Sequence, residues 1–160
     1  GLRNALISRH FTITDMSPDY VVVGLDSKVT YDKLATAVLL IRAGATFIGT
    51  NSDSNLPNQR GMVPGAGSLV KLVEYATQKR PIMIGKPEKI IMAMALKKSG
   101  LNKEQVVMVG DNYNTDIKAA INFGIDSLLV YSGLSTKLEV SKEAIQPTHQ
   151  VDSLDDWQVE

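Results

Sequence analysis

Short β-branched runs alternate with helix-spaced apolar positions along the first half of the chain. Residues 20–24 predict a strand, and Thr30 stands where the N-cap of a helix ending before Gly44 is expected. A second strand is predicted at 46–48, followed by a long polar loop over 51–67. The helix after this loop has apolar residues at the spacing of one buried face: Leu69, Leu72, Val73 and Ala76.

The second half continues the alternation. Apolar runs predict strands at 82–84, 105–109 and 126–131, with a short strand or helix near 151–157. A helix is predicted over 88–99, and the next one ends at Gly124. The residues expected to be buried on that second helix are Ile117, Ala120 and Ile121.

Strand–helix alternation predicts an α/β fold, with parallel strands joined by right-handed crossovers and covered by helices. The clearest break in the pattern is Lys79-Arg80-Pro81. We therefore divide the chain into residues 1–81 and 82–160.

Composition narrows the possible functions. The 17 basic residues balance the 17 acidic ones, so no charge excess indicates a nucleic acid or membrane partner. The absence of cysteine excludes disulfides, zinc–thiolate sites and a cysteine nucleophile. It is compatible with the cytoplasm, which is the location we predict. The longest nearly apolar stretch, 35–41, is much shorter than the roughly 20 residues that cross a bilayer.

The strongest chemical motif follows the predicted strand at 105–109. Gly110-Asp111 comes directly after it, and Asp116 lies five residues further on. Ligands of open α/β sheets bind beyond the carboxyl ends of strands, and Mg²⁺ prefers carboxylate oxygens, water and phosphate as ligands. We predict Asp111 as a direct Mg²⁺ ligand, with Asp116 holding a metal-bound water or orienting the loop. The alternative is a turn at Asp111 and an interaction of Asp116 with the helix N-terminus.

Lys86 follows another predicted strand, in Gly85-Lys86-Pro87. A lysine at this place neutralises a phosphate or a nucleophilic carboxylate, although most lysines are only solvated surface residues. Within the polar loop, Gly65 and Gly67 precede a helix and either cradle an anion at its N-terminus or form a plain turn. A dinucleotide fingerprint is disfavoured there, because Val70 stands at the third glycine position.

These motifs together resemble the haloacid dehalogenase (HAD) superfamily of phosphatases, and more closely its subclass IIA, the NagD-like and p-nitrophenylphosphatase-like enzymes. The resemblance covers nearly the whole chain. It is carried by residues 18–26, 30–34, 47–53, 61, 64–68, 84–87, 110–116 and 130–133.

The resemblance implies that residues 1–81 are most of an α/β cap domain and 82–160 the C-terminal part of a Rossmann-like parallel-sheet core. It implies a Mg²⁺-dependent phosphomonoester hydrolase acting on small phosphorylated metabolites through an aspartyl phosphate. The implied roles are phosphate binding for Lys86, Mg²⁺ binding for Asp111 and Asp116, and substrate binding for Asn51, Asp53 and Asn112.

The family's nucleophile, the first acid of an Asp-x-Asp pair, has no counterpart in the sequence. Asp26 follows a strand, but Lys28 occupies the position of the second acid. We therefore expect that the upstream core segment is absent from this chain, which begins within a helix-like pattern. The chain should then be inactive alone and leave a core edge and apolar helix faces uncovered, to be completed by self-association or by the missing segment.

Two other classes remain open from the residues alone. The chain is alternatively a non-catalytic phosphate- or metal-binding module, or a structural α/β module whose acids form turns. Receiver domains also combine acids and a lysine at strand ends, but their acids precede the lysine along the chain, the reverse of the order here.

Overall fold

The computed structural model describes residues 1–158 of the chain. It forms two compact units, Gly1–Met83 and Ile84–Glu160. Each has its own parallel sheet. The chain is therefore of the α/β class, as the sequence predicts. The two units divide between residues 83 and 84, whereas the sequence places the division between 81 and 82.

The first unit contains a parallel sheet in the order β1-β2-β5 and a separate hairpin of β3 and β4. Its elements are α1 (Leu2–Ile7), β1 (Tyr20–Val23), α2 (Tyr31–Arg42), β2 (Thr46–Gly49), β3 (Asn55–Asn58), β4 (Gly61–Pro64), α3 (Ala66–Thr77) and β5 (Ile82–Met83).

The core of the first unit lies between this sheet and helices α2 and α3. Thr30 is the N-cap of α2, as predicted, and its hydroxyl accepts a hydrogen bond from the Lys33 N–H at 3.3 Å. The buried apolar side chains of the core are Val21, Ile41, Phe47, Val70 and Val73. The buried face predicted for α3 is wrong in part: Val73 is buried as predicted, but Leu72 is 46% exposed, and Val70 lies in the core instead.

The prediction of an unstructured loop over 51–67 is wrong in part, because β3 and β4 form an antiparallel hairpin there. Asn58 pairs with Gly61, which adopts a positive φ of 111°. The strands carry few apolar residues and mostly exposed side chains, so alternating hydrophobicity gave no signal for them.

The second unit contains a three-stranded parallel sheet in the order β6-β7-β8. Its elements are α4 (Lys89–Ser99), a 3₁₀ turn (Lys103–Gln105), β6 (Val107–Gly110), a π-helical turn (Tyr113–Ile117), α5 (Lys118–Phe123), β7 (Asp126–Val130), α6 (Lys137–Val140), β8 (His149–Val151) and a second 3₁₀ turn (Leu154–Asp156). The four-residue helix α6 was not predicted.

The central strand β7 is buried from Ser127 to Val130. Strand β6 lies at the edge of the sheet that the described residues form. One side of β6 is open, since Val107 and Val109 are 41% and 43% exposed. Helix α4 buries none of its residues, and its Met94 is 64% exposed. These features agree with the expectation of an uncovered core edge and an uncovered helix face.

The search for helices long and apolar enough to cross a membrane found none among the described residues.

Candidate active site

Asp116 is folded back beneath the end of strand β6 by the π-helical turn. Asn112 caps this turn, with its side-chain oxygen accepting from the Asn114 N–H at 3.0 Å. Its own N–H donates to Oδ2 of Asp116 at 3.2 Å. A Cβ on Gly110 would lie only 2.2 Å from Cβ of Asp116, so a glycine is required where the strand ends. π-Helical turns of this kind are frequent at functional sites.

Lys86 forms an ion pair with the other oxygen of Asp116. Its Nζ lies 2.5 Å from Oδ1, and the Asp116 side chain is only 7% exposed while that of Lys86 is 45% exposed. Both oxygens of Asp116 are therefore engaged, one by an ammonium group and one by a backbone N–H. The pair joins two residues that are 30 positions apart in the sequence.

One expectation about Lys86 is wrong. The strand before it was predicted at 82–84 and assigned to the second half, but β5 is Ile82–Met83 and pairs with β2 in the sheet of the first unit. Its partners are Ile48 and Gly49. Lys86 is therefore carried by the segment leading into α4, which begins at Lys89 with Glu88 as its N-cap.

Asp111 lies at the carboxyl end of β6, as predicted. Its Oδ2 accepts a hydrogen bond from the Leu134 N–H at 3.0 Å, and its carbonyl oxygen accepts from the Ser135 N–H at 3.0 Å. Within residues 1–158, Oδ1 of Asp111 has no hydrogen-bond partner. One carboxylate oxygen is therefore fixed by the protein and the other remains available.

This donor set is compatible with Mg²⁺. The described residues contain no group of three or more His, Cys, Asp or Glu side chains that could enclose a metal. Mg²⁺ does not need one, since it is usually held by one or two carboxylates, with water and substrate phosphate completing its shell. Asp111 offers a free oxygen for direct binding, while Asp116, whose oxygens are both engaged, is suited to an outer role.

Asn51 and Asp53 belong to the first unit, where they contact each other. The Asn51 side-chain amide nitrogen donates to Oδ2 of Asp53 at 2.5 Å, and the Thr50 hydroxyl donates to the side-chain oxygen Oδ1 of Asn51 at 2.7 Å. Asn51 also lines a surface cavity of about 710 Å³ together with Asp26 and Lys33. The second Asn51 amide hydrogen and Oδ1 of Asp53 are left for further hydrogen bonds, since no described residue takes them.

The anion cradle considered at the start of α3 is wrong. The N–H groups of Gly65 and Gly67 donate at 2.9 Å to the carbonyl oxygens of Ser54 and Asp53. A Cβ on Gly67 would lie 2.3 Å from the carbonyl oxygen of Ser52. The glycines therefore hold the segment 52–54 against the helix, directly after Asn51.

Asp26 is held in a structural ion pair. Its Oδ2 lies 2.7 Å from Nζ of Lys33, and its Oδ1 accepts from the Lys28 N–H at 2.8 Å. The hydrogen bond from Lys33, followed by that from Lys28, lowers the pKa of the Asp26 carboxyl. These contacts give Asp26 a structural role, so a catalytic role is not needed to explain an acid at this position.

The comparison with protein families matches residues 83–157 to the family described as HAD-hydrolase-like. Among curated proteins, the chain is 44% identical over 157 residues to the 5'-nucleotidase YutF of Bacillus subtilis. It is 46% identical over the same length to the acid sugar phosphatase of Staphylococcus saprophyticus. Each alignment covers 98% of this chain and 61% of the relative.

The comparison with solved structures likewise matches nearly the whole chain. A double mutant of a thermostable NPPase from Geobacillus stearothermophilus superposes with a TM-score of 0.94 at 48% identity, covering 99% of this chain and 62% of that one. NagD from E. coli superposes with a TM-score of 0.91 at 34% identity, covering 98% and 62%. The predicted resemblance to NagD-like and p-nitrophenylphosphatase-like proteins is confirmed, and the chain spans about three fifths of the length of these relatives.

Proposed function

We propose that this chain, which is similar to HAD-like phosphatases, forms part of a Mg²⁺-dependent hydrolase of small phosphorylated metabolites. The observation that carries the proposal is the ion pair between Lys86 and Asp116, beside the turn that bears Asp111. A cation anchored to a buried acid and an acid with a free oxygen are the complementary groups that a phosphate–Mg²⁺ pair requires.

Lys86 acts on the phosphoryl group in this proposal. Asp116 fixes the ammonium group through one oxygen, while the 45% exposure of the Lys86 side chain leaves its other hydrogens accessible to a ligand. An ammonium held in this way neutralises charge on phosphoryl oxygens without reorganising during the reaction. Asn112 shapes the neighbouring loop through its backbone and side-chain oxygen, and we propose that its amide group reaches the substrate.

Asp111 is the proposed direct ligand of Mg²⁺, and Asp116 the proposed outer acid that orients a metal-bound water. When bound, Mg²⁺ supplies charge stabilisation at the phosphoryl oxygens. The described side chains bind and orient: Asp111 presents Oδ1, and Asp116 holds Lys86 and the Asn112 N–H in fixed positions.

The proposed substrates are small phosphate monoesters. One relative is named a 5'-nucleotidase and another an acid sugar phosphatase, so the leaving group varies among similar proteins. We propose that Asn51 and Asp53 contact the leaving group, because their free amide hydrogen and carboxylate oxygen suit hydroxyl-bearing compounds. The cytoplasm is the proposed location, since a chain without cysteine needs no oxidising compartment.

The attacking carboxylate is proposed to come from outside these 160 residues, since the sequence contains no Asp-x-Asp pair. The open side of β6, with Val107 and Val109 exposed, offers a surface on which a further core segment or a second copy packs. The 160-residue chain alone is then inactive.

The test is Mg²⁺-dependent hydrolysis of p-nitrophenyl phosphate. We expect no turnover by the purified chain, and turnover when it is co-expressed with the part of the Bacillus subtilis relative that it does not match. Lys86→Met should then abolish turnover, whereas Lys98→Met, at an exposed lysine of α4, should leave it unchanged. Turnover by the chain alone that disappears in Asp26→Asn would overturn the proposal.

A further inference from the structure

The backbone of Gly133 lies against the side chain of Asp111. A Cβ built on Gly133 would be 2.0 Å from Oδ2 of Asp111 and 2.4 Å from its Cβ. Any residue other than glycine therefore requires a displacement of Asp111 or of the segment that carries Gly133. Because Cβ of Asp111 is fixed to the backbone, a side-chain rotation alone cannot relieve this overlap.

The two residues after Gly133 bind the turn that carries Asp111 through their backbone N–H groups. Leu134 donates its N–H to Oδ2 of Asp111, and Ser135 donates its N–H to the Asp111 carbonyl oxygen, both at 3.0 Å. The Ser135 hydroxyl accepts from the Tyr113 N–H at 2.8 Å. The segment 133–135 thus contacts both Asp111 and Tyr113. This segment follows β7, which is the neighbour of β6 in the sheet.

Glycine is required here for space and not for backbone conformation. Gly44, Gly61, Gly100 and Gly124 are the described glycines with positive φ, and Gly133 is not among them. A side chain at Gly133 is therefore not opposed by a left-handed backbone, and the three atoms nearest to the built Cβ all belong to Asp111.

We propose that Gly133 is a positioning residue for cation binding by Asp111, an inference that rests on the proposed function. Its missing side chain lets the carboxylate lie against the segment 133–135, where the Leu134 N–H occupies Oδ2. Oδ1 is thereby presented to a divalent cation in one orientation. Partners that orient a metal ligand in this way typically change metal affinity by roughly 10–100-fold when they are altered.

The first measurement is a titration of the 160-residue chain with Mn²⁺, followed by the electron paramagnetic resonance signal of the free ion. Gly133→Ala should weaken Mn²⁺ binding at least about tenfold. Gly100→Ala is the matched control, since Gly100 has a φ of 72° and no atom within 4 Å of a built Cβ. That variant should lose stability but keep its Mn²⁺ affinity, which separates positioning from folding.

Leu138→Ala provides a second control. Leu138 lies on α6 with a side chain that is 69% exposed, so Mn²⁺ affinity should be unchanged. Wild-type affinity in Gly133→Ala would overturn the proposal. Equal weakening in Gly133→Ala and Gly100→Ala would also overturn it, because the effect would then be a loss of stability.

A second measurement does not depend on metal. Hydrogen exchange at the Leu134 amide should be slow in the wild type and faster in Asp111→Ala. Asp111→Asn, whose carbonyl oxygen still accepts the hydrogen bond, should restore slow exchange while remaining unable to bind Mn²⁺ tightly. Fast exchange in the wild type would overturn the positioning role. Failure of the wild type to bind Mn²⁺, with slow exchange retained, would instead refute the metal site of the proposed function.

Discussion

Nζ of Lys86 lies 2.5 Å from Oδ1 of Asp116, and the two partners differ greatly in their access to water. The acid is almost fully buried, whereas the lysine is close to half exposed. Removing Lys86 leaves a buried carboxylate without a compensating positive charge, whereas removing Asp116 leaves a lysine that water can solvate.

The first prediction follows from this asymmetry. Lys86→Met should lower the free energy of unfolding of the second unit by about 1–3 kcal/mol, because Asp116 keeps only the Asn112 N–H. Asp116→Asn should cost less, and the double variant should recover part of the loss of Lys86→Met. Urea unfolding followed by the fluorescence of Trp157, the single tryptophan, measures these differences. Equal costs for the two single variants would contradict the role given to burial.

The second prediction concerns the glycines that hold the segment 52–54. Gly67→Ala should destabilise the first unit by about 1–3 kcal/mol, because the new methyl group would overlap the Ser52 carbonyl group. Ser68→Ala, which removes only a hydrogen bond to the Ser54 carbonyl oxygen, should cost about 1 kcal/mol. Circular dichroism during urea unfolding measures both. A Gly67→Ala variant as stable as the wild type would show that the segment adjusts freely.

The third prediction is a loss of stability at alkaline pH. Burial, assisted by the charge of Glu143, raises the pKa of the Tyr113 hydroxyl, which donates to the Ile145 carbonyl oxygen. The unfolded chain therefore releases this proton first. The stabilisation is complete below the unfolded pKa of about 10, and it is lost as the pH rises through the higher folded pKa.

Tyr113→Phe should be less stable at neutral pH, through the lost hydrogen bond, but should show a shallower decline above pH ~10. Unfolding free energies measured across this range give the difference between the two proteins. Burial also raises the pKa of Tyr131, so a residual decline in Tyr113→Phe is expected and should shrink further in the double variant Tyr113→Phe/Tyr131→Phe. Parallel pH profiles for the wild type and Tyr113→Phe would contradict the prediction.

The fourth prediction concerns the open side of β6. The chain should self-associate at high concentration, since Val107 and Val109 present apolar surface beside an unpaired strand edge in the described sheet. Val109→Lys should reduce this association, because a charge at an edge opposes strand pairing. Leu72→Lys, on an exposed position of α3, adds the same charge elsewhere and should not. Sedimentation velocity measures the oligomers, and a monomeric wild type would refute the prediction.

The sequence predicts the elements whose signals are local. Thr30 caps its helix through its own hydroxyl, and the β-branched run beginning at Tyr20 becomes a strand. The turn bearing Asp111 follows a strand as expected. The pairing of β5 with β2 was not foreseen, since a two-residue strand carries no signal of the sheet that it joins.

The candidate site could be predicted only in part, again because the sequence carries local signals but not tertiary contacts. Residue types and spacing single out Lys86, Asp111 and Asp116, but not the ion pair and the backbone hydrogen bond that engage the two oxygens of Asp116. That contact depends on tertiary structure across 30 positions. The role of Gly133 was missed because close approach leaves no mark in hydrophobic periodicity. Positive φ, the usual signature of a required glycine, is absent there as well.

The π-helical turn Tyr113–Ile117 makes the number of residues in this loop as important as their identity. Each residue advances the side-chain direction by about 100° in an α-helix and by less in a wider π turn. One deletion between Asn112 and Asp116 would therefore turn the acid away from Lys86. Conservative replacements at exposed Asn114 keep the count and leave the ion pair in place. In a library of insertions and deletions, this turn should therefore be the least tolerant stretch of the second unit, although several of its positions accept substitution.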